Sequence, residues 1–185
     1  ALGIKDIYSL HKTVYSLFPV ENGHQRDFLF ADKGGDFKDR QILILSRREP
    51  LRPEYGQIDS KEVPEAFLQF DHYGFEIVLN PTRRDGETGK TVAVRGKENL
   101  TEWFEKKARR CGFDILPENL QVNRVGVLTY QKNGTTRTHN TATFTGKLHV
   151  TDRTLFIKSF EQGIGRGKGF GFGLLQLIPI DKDNC

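Results

Sequence analysis

Polar side chains near the N-terminus have a spacing that would bring them together on one helix. Tyr8, His11, Lys12 and Tyr15 stand at positions i, i+3, i+4 and i+7, which share one face of a helix. A histidine titrates near neutrality and can exchange protons with a substrate, and a lysine can stabilise negative charge. The stripe predicts a site of proton transfer with Tyr8, His11 and Lys12 as candidates. The alternative is that His11 only packs at the edge of a neighbouring apolar stripe.

The element that must position these groups is an amphipathic helix over residues 6–18. Its apolar residues recur at helical spacing and predict a buried stripe formed by Ile7, Leu10, Val14, Leu17 and Phe18. The polar stripe lies about 100° further round the helix. Asp6 is the expected N-cap, because its side chain can accept hydrogen bonds from the first free N–H groups.

A second candidate site is the glycine-rich stretch at residues 163–175, which reads GIGRGKGFGFGLL. Glycine costs backbone entropy, so a run this dense indicates an unusual backbone conformation or a close approach. Exposed N–H groups around Gly165 and Gly167, with Arg166 and Lys168, would suit a bound phosphodiester. The spacing excludes the dinucleotide-binding fingerprint and the nucleotide P-loop, and the RNA-recognition strand motif breaks down partway through.

The rest of the chain predicts an alternation of strands and helices. Strands are expected at residues 28–31, 41–46, 75–79, 121–130, 140–150 and 174–180, and helices at residues 99–110 and 154–162. The strands at 121–130 and 140–150 form a hairpin whose tip, residues 131–139, carries Lys132 and Arg137. In the helix at 99–110, Leu100, Trp103 and Phe104 are expected to face the core.

The order of these elements predicts the fold. From residue 75 the chain runs strand, helix, strand, strand, helix, strand, which is the ferredoxin-like order. Residues 1 to about 71 follow the same order without its first strand. The sequence has no methionine, even at position 1, so we expect it to start inside the gene product and to lack that strand. We predict an α+β fold of tandem ferredoxin-like (RRM-like) domains, at residues 1–71 and 72–185.

Composition narrows the functional classes. Hydrophobic residues make up 36% of the chain, enough for a core, and the formal net charge of +4 is compatible with nucleic acid. Two cysteines and scattered acidic residues predict neither a disulfide framework nor a metal site, and no cofactor is expected. No signal peptide or long apolar run is visible, so we expect a cytoplasmic protein without membrane contact.

The glycine-rich stretch resembles the loop of the CRISPR repeat-processing endoribonucleases of the CasE group. That loop runs G-x-G-x-x-[KR]-x-x-G-x-G-L-L, and this sequence fills it with Gly163, Gly165, Lys168, Gly171, Gly173, Leu174 and Leu175. Three further motifs follow the order of the family: Tyr8-Ser9-Leu10-His11, Asn80-Pro81 and Glu102-Trp103-Phe104. The resemblance covers nearly the whole chain.

This resemblance implies a protein that binds the hairpin of a CRISPR repeat and cuts precursor CRISPR RNA without metal. Attack by the 2′-hydroxyl would leave a 2′,3′-cyclic phosphate, and the protein would stay bound beside other Cascade subunits. His11 would transfer the proton, with Tyr8 assisting. Some relatives add a lysine where this sequence has Tyr15 and Ser16, so Lys12 is the proposed substitute. Phosphate contacts are expected from Arg83, Arg84, Lys132, Arg137, Arg166 and Lys168.

Two other functions remain open at this stage. One is a non-catalytic RNA-binding subunit of a ribonucleoprotein complex with the same double fold. The other is an unrelated ferredoxin-like enzyme that acts on a small ligand. RNA binding without cleavage would support the first, and no RNA binding at low salt would support the second.

Overall fold

The computed structural model describes residues 6–19, 26–35 and 39–180. Within these ranges the chain forms α1 (Ile7–Ser16), β1 (Phe28–Gly35), β2 (Arg40–Ser46), β3 (His72–Leu79), β4 (Thr82–Arg84), β5 (Thr91–Ala93), α2 (Lys97–Arg109), β6 (Phe113–Ile115), β7 (Gln121–Lys132), β8 (Thr135–Val150), α3 (Arg153–Gln162) and β9 (Gln176–Ile180). Short 3₁₀ turns at Glu65–Leu68, Pro117–Asn119 and Lys168–Phe170 connect them.

The central sheet belongs to the C-terminal half of the chain. Its strand order is β6-β8-β3-β9 with antiparallel neighbours, and β7 pairs with the part of β8 that β6 does not reach. β3 alternates between buried and half-buried residues, and its apolar side faces α2 and α3. Tyr73 packs on Phe156 of α3, and Phe75 packs on Phe104 of α2. The α+β architecture of tandem ferredoxin-like domains is confirmed.

In the N-terminal half, α1 packs against the hairpin of β1 and β2. Asp6 caps the helix as predicted: its Oδ1 accepts from the Ser9 N–H at 2.7 Å, and Oγ of Ser9 accepts from the Asp6 N–H at 3.0 Å. The apolar stripe of α1 is buried on Phe28 and Phe30 of β1. This packing leaves the stripe of Tyr8, His11 and Lys12 to face away from the β1–β2 hairpin.

The tip of the β7–β8 hairpin differs from the prediction. The tip was expected at residues 131–139, but the strands continue to Lys132 and resume at Thr135. Only Asn133 and Gly134 turn, and their φ values of 51° and 72° suit a type I′ turn, whose twist matches the strands. The threonines around the turn favour strand over loop.

Other predicted boundaries move by a few residues. β3 begins at His72 rather than at residue 75, because His72 already pairs with His149 and Ile180. The last strand begins at Gln176 rather than at residue 174, and the short strand β6 was not predicted. In α2, Leu100 and Phe104 are buried as expected, whereas Trp103 is only half-buried. The domain boundary near residue 71 stays a prediction.

The glycine-rich stretch folds back on itself at the end of β3. The N–H of Gly173 donates to the Val78 carbonyl at 2.8 Å, and the N–H of Ile164 donates to the Gly173 carbonyl at 2.9 Å. Gly173 has a φ of +87°, and a Cβ there would lie 2.4 Å from the Ile164 carbonyl oxygen, so only glycine fits. The N–H groups of Ile164 and Gly173 are therefore used inside the protein. Exposure of the N–H groups around Gly165 and Gly167 stays a prediction.

Candidate active site

His11 is held in one orientation by a contact with the glycine-rich stretch. Its Nδ1 lies 2.6 Å from the carbonyl oxygen of Gly169, a residue 158 positions away in the chain. A carbonyl oxygen only accepts, so Nδ1 carries the proton and donates it. Nε2 of the neutral ring is thereby left as a proton acceptor. Two distant segments together fix the tautomer that a general base requires.

Aromatic rings from three elements form a continuous cluster around His11. Tyr8 stacks on His11 and on Tyr130 of β7, with centroid distances of 5.8 Å and 5.9 Å. Phe170, in the 3₁₀ turn of the glycine-rich stretch, lies 5.0 Å from His11 and 4.8 Å from Tyr130. The cluster joins α1 to the C-terminal half of the chain. It gives His11 polar and aromatic neighbours beyond the apolar stripe of its own helix.

Lys12 is exposed on the same face of α1, one residue after His11. Its Nζ lies 4.6 Å from the centroid of the Tyr8 ring, which is a cation–π distance. The structure therefore brings the three predicted side chains Tyr8, His11 and Lys12 together at one end of the ring cluster. The ammonium group of Lys12 contacts the Tyr8 ring on the solvent side.

Gly169 lies where side chains from several parts of the chain converge. A Cβ at this position would lie 2.9 Å from Oη of Tyr15, 3.4 Å from Nη1 of Arg26 and 3.8 Å from Nδ1 of His11. A side chain at residue 169 would displace at least one of them. The absence of a side chain at Gly169 therefore lets its carbonyl reach His11.

Arg26 is a cation of this site that the sequence did not indicate. Its Nε is buried and has no hydrogen-bond partner among the described residues. Burial, and then the nearby charge of Arg26, lowers the pKa of the Lys168 amine. The Lys168 ammonium donates to the Gln162 carbonyl at 2.7 Å. The positive charges of Arg26 and Lys168 repel each other, so the arrangement favours an anion beside them.

The β7–β8 hairpin adds two more cations above the ring cluster. Tyr130 pairs with Arg137 and Lys132 pairs with Thr135, so the predicted contacts Lys132 and Arg137 share the face of Tyr130. These residues, together with His139 and Phe170, line a cavity of about 470 Å³. The cavity is of the size of small-ligand sites, about 300–1,000 Å³. The hairpin therefore joins two predicted RNA contacts to the aromatic cluster.

The remaining predicted contacts form a separate group. Arg166 donates from Nη1 to Oγ1 of Thr91 at 3.2 Å, which ties the glycine-rich stretch to the β4–β5 hairpin. Arg83 and Arg84 lie on β4 of that hairpin, both exposed, and Nε of Arg84 donates to the Gly89 carbonyl. This basic group and the ring cluster are linked through the glycine-rich stretch. Gly165 and Gly167 lie in it with φ values of +82° each.

Sequence patterns missed several residues of the site. Arg26 stands alone between two predicted elements, and nothing in its neighbourhood marks it. Tyr130 was assigned to a strand and Phe170 to a loop, and both come next to His11 only through the tertiary fold. Among the described residues, no group of three or more His, Cys, Asp or Glu side chains is arranged to hold a metal ion. None of the helices in that part of the chain is long and apolar enough to cross a membrane.

Comparison with known proteins places this fold and site in a family. The profile of the family described as CRISPR associated protein matches residues 2–179. The chain belongs to this family. It is 24% identical to the CRISPR-associated endoribonuclease Cse3 of Thermus thermophilus over 93% of this chain and 90% of that protein. It is 26% identical to the CRISPR system Cascade subunit CasE of Escherichia coli, over 95% of this chain and 94% of that protein.

A solved structure shares the fold over nearly the same extent. The structure of Thermus thermophilus Cse3 bound to an RNA representing a pre-cleavage complex is similar with a TM-score of 0.80 and 24% sequence identity. The match covers 94% of this chain and 89% of the other. The resemblance to the CasE group that the motifs indicated is confirmed.

Proposed function

We propose that this chain is an endoribonuclease that binds the hairpin of CRISPR repeats and cuts precursor CRISPR RNA. The observation that carries the proposal is the 2.6 Å contact between His11 Nδ1 and the Gly169 carbonyl oxygen. It leaves Nε2 free to accept a proton at the junction of α1, the β7–β8 hairpin and the glycine-rich stretch. Two relatives that match nearly the whole chain are named an endoribonuclease and a Cascade subunit.

In the proposed reaction the RNA supplies its own nucleophile. Nε2 of His11 takes the proton of a 2′-hydroxyl, whose oxygen attacks the adjacent phosphorus. The bond from phosphorus to the 5′-oxygen breaks, and that oxygen receives a proton, which the imidazolium can return. The products are a 2′,3′-cyclic phosphate and a free 5′-hydroxyl, and no metal ion takes part. Lys12 and Arg26 stabilise the charge that develops on the phosphate, and Tyr8 holds the His11 ring by stacking.

The hairpin of the repeat is bound through its phosphates. Lys132 and Arg137 lie above the reacting groups, and Arg166 and Lys168 extend the basic surface along the glycine-rich stretch. An A-form stem is recognised mainly by shape and phosphate contacts, which suits these cations. The same proposal includes a cytoplasmic location and retention of the cut RNA as part of Cascade.

One substitution distinguishes the proposed endoribonuclease from a non-catalytic RNA-binding subunit. His11→Asn keeps a nitrogen that can donate to the Gly169 carbonyl but removes Nε2. We expect the cleavage rate to fall by at least about 10²-fold, because a positioned general base typically contributes about 10²- to 10⁴-fold. Affinity for the hairpin and thermal stability should change little. Unchanged cleavage would remove His11 from the chemistry, and binding without any cleavage by the wild type would favour the scaffold.

The mechanism is tested on the substrate itself. A single 2′-deoxy substitution just upstream of the cut should block cleavage, because the nucleophile is gone. The wild type should remain active in excess EDTA, and the upstream fragment should resist phosphatase until acid opens its cyclic phosphate. Cleavage of the deoxy substrate at the same bond, or complete inhibition by EDTA, would contradict attack by the 2′-hydroxyl.

A further inference from the structure

A second histidine lies at the opposite end of the ring cluster from His11. His139 of β8 stacks on Tyr130 with a centroid distance of 5.5 Å and lies 4.9 Å from Phe170. Its Nε2 is 3.2 Å from Oη of Tyr130, and its Nδ1 is 3.1 Å from Nδ2 of Asn80. Asn80, His139 and Tyr130 therefore form a hydrogen-bonded chain, which begins at the end of β3 and reaches the ring that Tyr8 stacks on.

The direction of the hydrogen bonds in this chain follows from its first member. In the amide orientation that the structure gives Asn80, Nδ2 faces His139 and only donates, so Nδ1 of His139 accepts. The single proton of the neutral ring then lies on Nε2, which donates to Oη of Tyr130. Burial lowers the pKa of His139 and raises the pKa of Tyr130, so both groups are neutral near pH 7.

This direction leaves the hydrogen of the Tyr130 hydroxyl available to a ligand. Within the described residues, His139 is the hydrogen-bond partner of that hydroxyl. It donates to a lone pair of the hydroxyl oxygen and leaves the hydroxyl hydrogen without a partner there. Tyr73 offers the contrast, because its buried hydroxyl donates to the Phe67 carbonyl at 2.8 Å. Tyr130 also lines the cavity of about 470 Å³ beneath Lys132 and Arg137, so a ligand can reach it.

We propose that Tyr130 donates a hydrogen bond to a phosphate oxygen of the RNA at the cleaved bond, and that His139 and Asn80 are positioning residues for its hydroxyl. The inference rests on the proposed function. Non-bridging phosphate oxygens only accept hydrogen bonds. They therefore match the Tyr130 hydroxyl, which still has its hydrogen to donate. Tyr130 and His11 both stack on Tyr8, and both ring centroids lie within 5.0 Å of the Phe170 centroid, so one phosphate can contact the two side chains.

The role of Tyr130 is tested by single-turnover cleavage of a repeat hairpin RNA at saturating protein. Tyr130→Phe keeps the ring and should lower the rate constant about 10- to 100-fold, as expected for loss of a hydrogen bond to a charged group. Affinity for the hairpin should stay nearly unchanged. The matched control is Tyr73→Phe, which removes a hydroxyl with an internal partner and should leave the rate constant of the folded protein unchanged.

The positioning role is tested by combining substitutions. His139→Gln can still donate to Tyr130 and should keep most of the rate, whereas His139→Leu should lower it as Tyr130→Phe does. In a Tyr130→Phe background, His139→Leu should have no further effect, because it acts through the hydroxyl. Independent losses that multiply in the double variant would overturn the positioning role. Melting temperatures measured by circular dichroism identify any variant that fails to fold.

The outcomes separate this inference from the proposed function. If the wild type cuts no repeat RNA, the proposed function itself fails. If the wild type cuts and Tyr130→Phe cuts at the same rate, only the contact from Tyr130 is refuted. A phosphorothioate at the cleaved bond provides a second measurement, because it weakens the acceptor. It should slow the wild type more than it slows Tyr130→Phe, and equal slowing would also refute the contact.

Discussion

The packing around Gly169 gives a prediction in which one substitution should be rescued by another. Gly169→Ala places a methyl group 2.9 Å from Oη of Tyr15, closer than carbon and oxygen normally approach. The next contacts, Nη1 of Arg26 at 3.4 Å and Nδ1 of His11 at 3.8 Å, leave little room for the hydroxyl to retreat. No positive φ opposes alanine at this residue, so the conflict is one of space alone.

We expect the conflict to be resolved at the expense of the His11 orientation. The Tyr15 ring lies 4.0 Å from that of His11, so movement of Tyr15 carries His11 with it. A displacement of about 1 Å at reacting groups can cost about 10²-fold in rate. Overpacking of this kind typically costs about 1–3 kcal/mol in stability, which leaves most of the protein folded. Gly169→Ala should therefore lose cleavage activity much more than it loses stability or RNA affinity.

The rescue and the control make the test decisive. Tyr15→Phe removes Oη, the atom nearest to the new methyl group, so the double variant should recover most of the lost rate. Gly86→Ala is the matched control, because a Cβ at Gly86 meets nothing within 4 Å. Single-turnover cleavage and thermal melting are measured for the wild type, Gly169→Ala, Tyr15→Phe, the double variant and Gly86→Ala. A normal rate for Gly169→Ala, or no recovery in the double variant, would refute the argument.

Three further predictions concern binding, stability and pH. Arg166→Ala combined with Lys168→Ala should weaken hairpin binding and reduce the slope of log affinity against log salt by about one phosphate contact each; an unchanged slope would remove both from the interface. Trp103→Phe should cost about 1 kcal/mol, because Nε1 of Trp103 donates to the Thr82 carbonyl at 3.1 Å. Circular dichroism in urea would measure that loss, since the only tryptophan is removed. Burial lowers the pKa of His139 below its usual 6.5, so folding favours the neutral ring. Its contribution to stability is complete above that value and is lost as the pH falls through the lower folded pKa. The melting-temperature difference between wild type and His139→Gln should therefore narrow on acidification, and a constant difference would contradict it.

The sequence predicted that Tyr8, His11 and Lys12 share one face of a helix because helical periodicity is a local property. Tyr8, His11 and Lys12 follow from spacing alone, and Asp6 marks the start of their helix. The residues that complete the site come from elsewhere in the chain, and no local pattern connects them. Tyr130 lies within its predicted strand, but only the tertiary fold brings it to Tyr8. Arg26 precedes β1, which packs on α1.

The glycine-rich stretch has a structural role that its sequence did not indicate. Its density of glycine suggested open N–H groups around Gly165 and Gly167 for a phosphate. The structure adds that Gly173 donates to β3 and that Gly169 brings its carbonyl to His11. The glycines allow close approach between the two halves of the chain. Six of the proposed contacts to RNA phosphates are charged side chains. Binding by this site should therefore depend steeply on salt, whereas the chemistry at His11, fixed by an uncharged carbonyl, should not.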